Sequence, residues 1–145
     1  MMSIVALALC SCVCKKTEKA THSQALQEAN SASIEKYWKL IELSGNPLTG
    51  NMQKIPHVIL KADGKFSGNT GCNNMTGSYE LKDSYRINFS KAATTMMMCI
   101  NDMDTEKDFL HALEIADSYI LKNDTLILNR ARMAPLARFV AVYLE

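Results

Sequence analysis

The sequence lacks a surplus of charge of either sign. Its 145 residues include 16 basic and 15 acidic side chains, which leaves a net charge of +1. A nucleic-acid-binding domain usually carries a basic excess, so nucleic acid is not expected as a partner. Histidine is scarce, with three in the chain. Cys72 has no C-x-x-C partner, and no spacing resembles a zinc site, so no metal is expected.

Catalytic motifs are missing as well. The chain has no G-x-S-x-G elbow, and the glycine-rich run at residues 68–71 follows neither a P-loop nor a dinucleotide-binding pattern. We therefore expect no catalytic residue, no cofactor and no enzymatic activity. Asn69, Asn73 and Asn74 are expected to hold a bend of the chain, because asparagine tolerates left-handed backbone and bonds its own chain. The alternative is that this polar loop is a binding edge.

Residues 1–14 form an apolar segment without charge. The segment is shorter than the roughly 20 apolar residues that span a bilayer, and it resembles the core of a secretory signal peptide. The basic residues that normally precede such a core are missing, as in a signal that is incomplete at its N-terminus. Residues 9–12 (Leu-Cys-Ser-Cys) resemble a bacterial lipobox. This predicts a lipoprotein signal peptide over residues 1–11 and lipidation of Cys12.

The segment after the signal has the composition of a tether. Residues 12–34 are rich in small and polar residues and hold few large apolar side chains, which predicts a lipid anchor followed by a flexible linker. An acylated Cys12 would attach the protein to the cell envelope, at the outer membrane or on the periplasmic face. The folded domain is predicted over residues 35–145, and we expect a monomer.

The domain consists mainly of strand-like runs joined by tight turns. Asp63-Gly64, residues 82–84 and Asn123-Asp124 are each flanked by such runs, which predicts three hairpins. Over residues 104–116, apolar side chains recur every three or four positions, which predicts a helix with Thr105 at its capping box. The fold class is therefore α+β, with a curved antiparallel sheet and one packed helix.

An ordered set of short motifs runs through this domain. They are a tryptophan in the first strand, a D-G hairpin, G-N-x-G-C-N, G-x-Y, T-x-M-x-C and an E-x-x-F-L-x-x-L helix. Their members include Trp38, Gly68, Asn69, Gly71, Cys72, Asn73, Thr95, Met97, Cys99 and Phe109. This set resembles the META domain family, which includes the heat-shock protein HslJ, over residues 37–143. One departure is Met96, where many members carry arginine, so a role of that arginine does not carry over.

The resemblance implies a curved antiparallel β-sheet or partly closed barrel with one packed α-helix. It also implies a bacterial envelope protein that is linked to heat stress and antibiotic tolerance, with no established enzymatic activity. It assigns no ligand and no mechanism.

Cys72 and Cys99 are the two cysteines within the predicted domain. An exported domain meets an oxidising compartment in which disulfides persist. A bond between these residues would stabilise the fold by roughly 3 kcal/mol in the chain-entropy model. The first interpretation is a disulfide. Two buried reduced cysteines, or a reactive or metal-binding thiol pair, are the alternatives.

The run Met96-Met97-Met98 offers soft thioether ligands that suit Cu(I). Adjacent residues of an extended chain point to opposite sides, so the three side chains cannot share one face. The first interpretation is that Met97 fills the core while its neighbours pack elsewhere. Copper binding is the alternative.

These observations predict a non-enzymatic, lipid-anchored envelope protein that acts in stress or antibiotic tolerance through protein or ligand binding. Its partners would be the membrane, through the anchor, and an unidentified envelope protein. The alternative is an inhibitor of an envelope hydrolase or protease, with a disulfide-clamped loop near residues 72–75. A thiol- or copper-binding protein is the third and weaker alternative.

Overall fold

The computed structural model describes residues 34–50, 52–100, 103–131 and 134–143. The predicted signal peptide, the lipidation site Cys12 and the tether up to residue 33 lie outside these residues. The described residues form ten β-strands and the helix α1 (Met103–Ile115). The strands are β1 (Tyr37–Leu43), β2 (Asn46–Pro47), β3 (His57–Leu60), β4 (Lys65–Asn69), β5 (Asn74–Lys82), β6 (Arg86–Phe89), β7 (Ala93–Thr94), β8 (Ser118–Lys122), β9 (Thr125–Asn129) and β10 (Ala137–Val142).

Eight of these strands form an antiparallel barrel, in the order β1-β3-β4-β5-β6-β8-β9-β10. The predicted antiparallel sheet or barrel with one helix is confirmed, except that the barrel is closed and not partly closed. β10 pairs with β1 from Tyr37↔Val142 to Leu43↔Ala137, so the first and last long strands close the cylinder. The short strands β2 and β7 are added to β1 and β5.

The three predicted hairpins are confirmed, because β3–β4, β5–β6 and β8–β9 pair across the expected turns. Left-handed backbone at Gly64, Asp83 and Asn123 reverses the chain at each turn. No helix in the described part of the chain is both long and apolar enough to cross a membrane.

Alternating strand residues fill the barrel. The largest fully buried side chains include Trp38 of β1, Phe66 of β4 and Phe139 of β10. The indole N–H of Trp38 donates a 2.7 Å hydrogen bond to the backbone oxygen of Ile34. Ile34 is itself fully buried in the same core. The folded part of the chain therefore includes the last residue of the segment that was predicted to be a tether.

Helix α1 follows the predicted helix closely, with a difference at its start. It begins at Met103, so Thr105 lies inside the first turn and the predicted capping box there is wrong. Phe109, Ala112 and Leu113 are buried in the barrel core, and the rings of Phe109 and Phe139 lie 5.8 Å apart. Glu106 is buried on the same face, as the one buried carboxylate among the described residues.

Three polar side chains form a hydrogen-bonded group at the surface, next to the paired strands β1 and β10. The ammonium of Lys36 donates to the hydroxyl of Tyr143 at 3.0 Å and lies 3.4 Å from the carboxylate of Asp124, to which Tyr143 also donates. The hydrogen bond with Tyr143 is the main reason that the pKa of Lys36 is raised and that of Asp124 lowered.

Gly68 stands where β4 passes close to β3. A Cβ at this position would overlap the backbone oxygen of His57 and would lie 2.9 Å from Cε of Met75. We expect Gly68→Ala to lower the free energy of unfolding by about 2 kcal/mol, because the crowding involves backbone that cannot move aside. Urea denaturation measures this, with Ser67→Ala on the same strand as the control. Equal stability of the two variants would contradict the close approach.

Candidate functional site

The turn between β4 and β5 is a buried corner of the barrel. Thr70 is fully buried and Asn73 is 1% exposed. The backbone oxygen of Asn73 accepts a 2.9 Å bond from the Thr70 N–H, and the side chain of Asn69 accepts a 2.8 Å bond from the Gly71 N–H. Gly71 has a φ of 107°, a backbone conformation that favours glycine. The residues of the G-N-x-G-C-N motif thus form a tight turn.

The carboxylate of Glu106 reaches into this turn from helix α1. It accepts hydrogen bonds from the Thr70 hydroxyl at 2.5 Å and from the Asn73 backbone N–H at 3.1 Å. The Asn73 side-chain amide also donates to both carboxylate oxygens, at 3.1 and 3.0 Å. A buried carboxylate is costly unless it is hydrogen-bonded. These three donors therefore fix the helix to the turn, and we call Thr70, Asn73 and Glu106 the Asn73 knot.

The side-chain amide of Asn73 also holds a second segment. Its Oδ1 accepts hydrogen bonds from the Thr95 hydroxyl at 2.8 Å and from the Met97 backbone N–H at 2.7 Å. Its Nδ2 donates to the Met97 backbone oxygen at 3.0 Å. The Asn73 side chain thus binds both the backbone N–H and the backbone oxygen of Met97. We call residues 96–100 the Met loop.

A disulfide between Cys72 and Cys99 ties the Met loop to the same turn. The two Cα atoms lie 5.9 Å apart, within the usual range for such a bond. Both cysteines are buried, at 0% and 2% exposure. The Met loop is thereby fastened at Met97 by hydrogen bonds and at Cys99 by a covalent bond.

Apart from the buried Cys99, the side chains of the Met loop face solvent. Met96 is 99% exposed, Met98 90% and Ile100 93%, and Met97 is 46% exposed. The prediction that Met97 fills the core is wrong. The backbone of Met97 is directed toward Asn73, and its side chain is therefore left at the surface.

Most of the predicted motif residues meet in this corner. Trp38 and Phe109 lie in the core. The others lie in or next to the turn and the Met loop, and they are Gly68, Asn69, Gly71, Cys72, Asn73, Thr95, Met97 and Cys99. Asn69 holds the bend through its side chain, but the left-handed residue there is Gly71.

Most of the predicted inhibitory loop near residues 72–75 is buried, although Asn74 within it is exposed. Cys72, Asn73 and Met75 are each at most 3% exposed. The segment that is both clamped and exposed is the Met loop, on the other side of the disulfide.

The roles of Glu106 and Thr70 were not predicted from the sequence. A usable signal for Glu106 was its position three residues before Phe109, which places a carboxylate on the buried face of the helix. Thr70 occupies the variable position of the G-N-x-G-C-N motif, so nothing in the motif pointed to its hydroxyl.

An open cleft of about 420 Å³ lies beside the corner, lined by Lys39, Ile41, Leu48, Met52, Lys54 and Ile55, among others. It joins the turn through Lys54, whose N–H donates a 3.2 Å bond to the oxygen of Gly71. Within the part of the chain that the structure describes, no three His, Cys, Asp or Glu side chains could together hold a metal ion.

The disulfide gives a direct test in the full-length protein. We expect a non-reducing peptide map of protein from an oxidising compartment to contain the Cys72 and Cys99 peptides as one linked species. Cys72→Ala with Cys99→Ala should lower the free energy of unfolding by about 3 kcal/mol, because the unfolded chain gains freedom. Recovery of both cysteines as free thiols would contradict the disulfide.

Comparison with known proteins agrees with the overall fold. An NMR structure of a protein from Burkholderia xenovorans is 22% identical, with a TM-score of 0.61, and the match covers 79% of this chain and 87% of that chain. A crystal structure of a DUF4847 family protein from Bacteroides vulgatus is 14% identical, with a TM-score of 0.59, and the match covers 81% and 99%. These likenesses show the fold alone. No curated protein matches the chain.

The family is shown by a sequence model. The model described as the META domain matches residues 29–143, which is most of the chain. The resemblance based on the motifs is therefore confirmed, and the chain belongs to the META domain family.

Proposed function

We propose that this META domain protein is a non-enzymatic binding module and that the Met loop is its docking element. In this proposal, a lipid anchor at Cys12 holds the module in the cell envelope. There it acts in stress or antibiotic tolerance by binding an apolar surface of another envelope protein.

The proposal rests on the exposure of apolar side chains on a loop whose backbone is held in place. Met96, Met98 and Ile100 are each at least 90% exposed. Met103, at the start of helix α1, adds a further side chain that is 46% exposed. Contiguous exposed apolar side chains mark interaction sites more often than isolated ones do. Burial of each such side chain against a partner contributes about 1.5–3 kcal/mol.

The bracing of the loop favours binding to a folded partner. The backbone of Met97 is held by Asn73 and that of Cys99 by the disulfide. A loop that is already ordered loses less conformational entropy when it binds. The methionine side chains remain adaptable, since their unbranched thioethers can fit irregular apolar surfaces.

The same rigidity supports a second candidate, an inhibitor of an envelope hydrolase or protease. A clamped and exposed loop can enter the cleft of an enzyme without being reorganised. In this version the inserting segment is the Met loop rather than residues 72–75. The two candidates differ in the partner, which for an inhibitor is one enzyme bound in a 1:1 complex.

Site-specific crosslinking in cells tests the docking element. A photoreactive phenylalanine analogue would replace Ile100 in the full-length protein, and a second protein would carry it at Ile120, which is 53% exposed on β8. We expect a discrete protein adduct from position 100 and none from position 120. Met96→Ser with Met98→Ser should reduce that adduct about tenfold or more, because apolar contact area is lost.

The matched control is Ile120→Ser in the protein that carries the crosslinker at position 100, and it should leave the adduct unchanged. An adduct with one hydrolase or protease would favour the inhibitor. Equal adducts from both positions, or an adduct that does not respond to the two serine substitutions, would contradict docking through the Met loop.

A further inference from the structure

The methionines of this domain differ widely in their access to solvent. Met96 and Met98 are 99% and 90% exposed, whereas Met75, on β5, is 3% exposed. Oxidation of a methionine sulfur requires contact with the oxidant, so susceptibility follows exposure. The corner of the barrel therefore contains two highly accessible thioethers and, within the same fold, a shielded one.

The Met loop does not use these thioethers to keep its shape. The contacts that hold it are the backbone N–H and oxygen of Met97 with Asn73, together with the disulfide at Cys99. A chemical change at the ends of Met96 and Met98 leaves all of these contacts in place. Modification can therefore alter the surface chemistry of the loop without unfolding the domain.

The neighbouring cysteines do not compete for an oxidant. Cys72 and Cys99 are joined in a disulfide and are buried. Thiolates are the usual first targets of peroxide, and here the accessible reduced sulfur of the corner belongs to methionine instead.

We propose that Met96 and Met98 are sites of reversible oxidation to methionine sulfoxide, and that this modification makes the exposed surface of the Met loop much less apolar. The consequence for a partner rests on the proposed function, but the modification itself does not. The oxidant is a two-electron oxidant such as hydrogen peroxide.

The chemistry balances with one peroxide for each sulfur. A lone pair of the thioether sulfur attacks one peroxide oxygen, the S–O bond forms and the O–O bond breaks. The sulfur is oxidised by two electrons and the peroxide is reduced. The departing hydroxide takes the proton of the transferred hydroxyl, which leaves the sulfoxide and one water. Methionine sulfoxide reductases reverse the change, with one enzyme for each epimer.

Peptide mapping of the folded full-length protein during treatment with hydrogen peroxide tests the site. We expect Met96 and Met98 to oxidise at least about tenfold faster than Met75, which serves as the internal reference. The circular dichroism spectrum and the melting temperature should be retained. Retention on a phenyl matrix should fall after oxidation and return after treatment with both classes of reductase.

The matched control is Met96→Ile with Met98→Ile, which keeps an apolar loop that cannot form these sulfoxides. Its retention on the phenyl matrix should resist peroxide. The proposal would be overturned if Met75 oxidised as fast as Met96, if oxidation unfolded the domain, or if retention of the unsubstituted protein did not change. If retention on the phenyl matrix falls with peroxide and returns with the reductases while position 100 gives no protein adduct, the proposed partner binding fails and the oxidation site stands.

Discussion

The carboxylate of Glu106 accepts hydrogen bonds from the Thr70 hydroxyl and from two N–H groups of Asn73 inside the protein, and the arrangement of the corner follows from this. A buried carboxylate without donors would cost several kcal/mol, so the helix and the β4–β5 turn are stable only in this mutual position. Asn73 then uses its remaining bonding capacity on the Met97 backbone. The helix, the turn and the Met loop are thus joined through one carboxylate and one amide, and the disulfide secures the end of the loop.

These contacts of the backbone explain how the loop stays ordered although its large apolar side chains are exposed to solvent. Burial does not stabilise Met96, Met98 or Ile100 in the isolated domain, because each is at least 90% exposed. The position of the loop depends instead on its backbone contacts, and the side chains are left free for other contacts. The closed barrel supplies the rigid support, since β1 and β10 pair along their length. The proposed docking and the proposed oxidation both depend on this arrangement. The backbone contacts fix the loop, and the exposed side chains remain available to bind a partner or to react.

Much of the fold could be predicted from local sequence signals. Turn residues such as Asp63-Gly64 and the spacing of Phe109 and Leu113 identified the hairpins and the helix. Closure of the barrel could not be predicted locally, because it depends on pairing between β1 and β10 at opposite ends of the domain. The position of Met97 was mispredicted for a related reason. Side-chain alternation assumes strand pairing, whereas Met97 is held by a side-chain amide of Asn73. The partners of the Glu106 carboxylate could not be predicted either, because Thr70 and Asn73 are distant from it in the sequence.

Amide hydrogen exchange at Met97 shows whether Asn73, supported by Glu106, holds the Met loop in place. In the unsubstituted protein the Met97 N–H donates to Asn73 and should exchange slowly. We expect Glu106→Ala, which removes the support of Asn73, to accelerate exchange at Met97 greatly while the amides of β9 and β10 remain protected. Glu114→Ala, at an exposed position of the same helix, should leave the exchange at Met97 unchanged. Slow exchange at Met97 in the Glu106→Ala protein would contradict the claim that the Asn73 knot positions the Met loop.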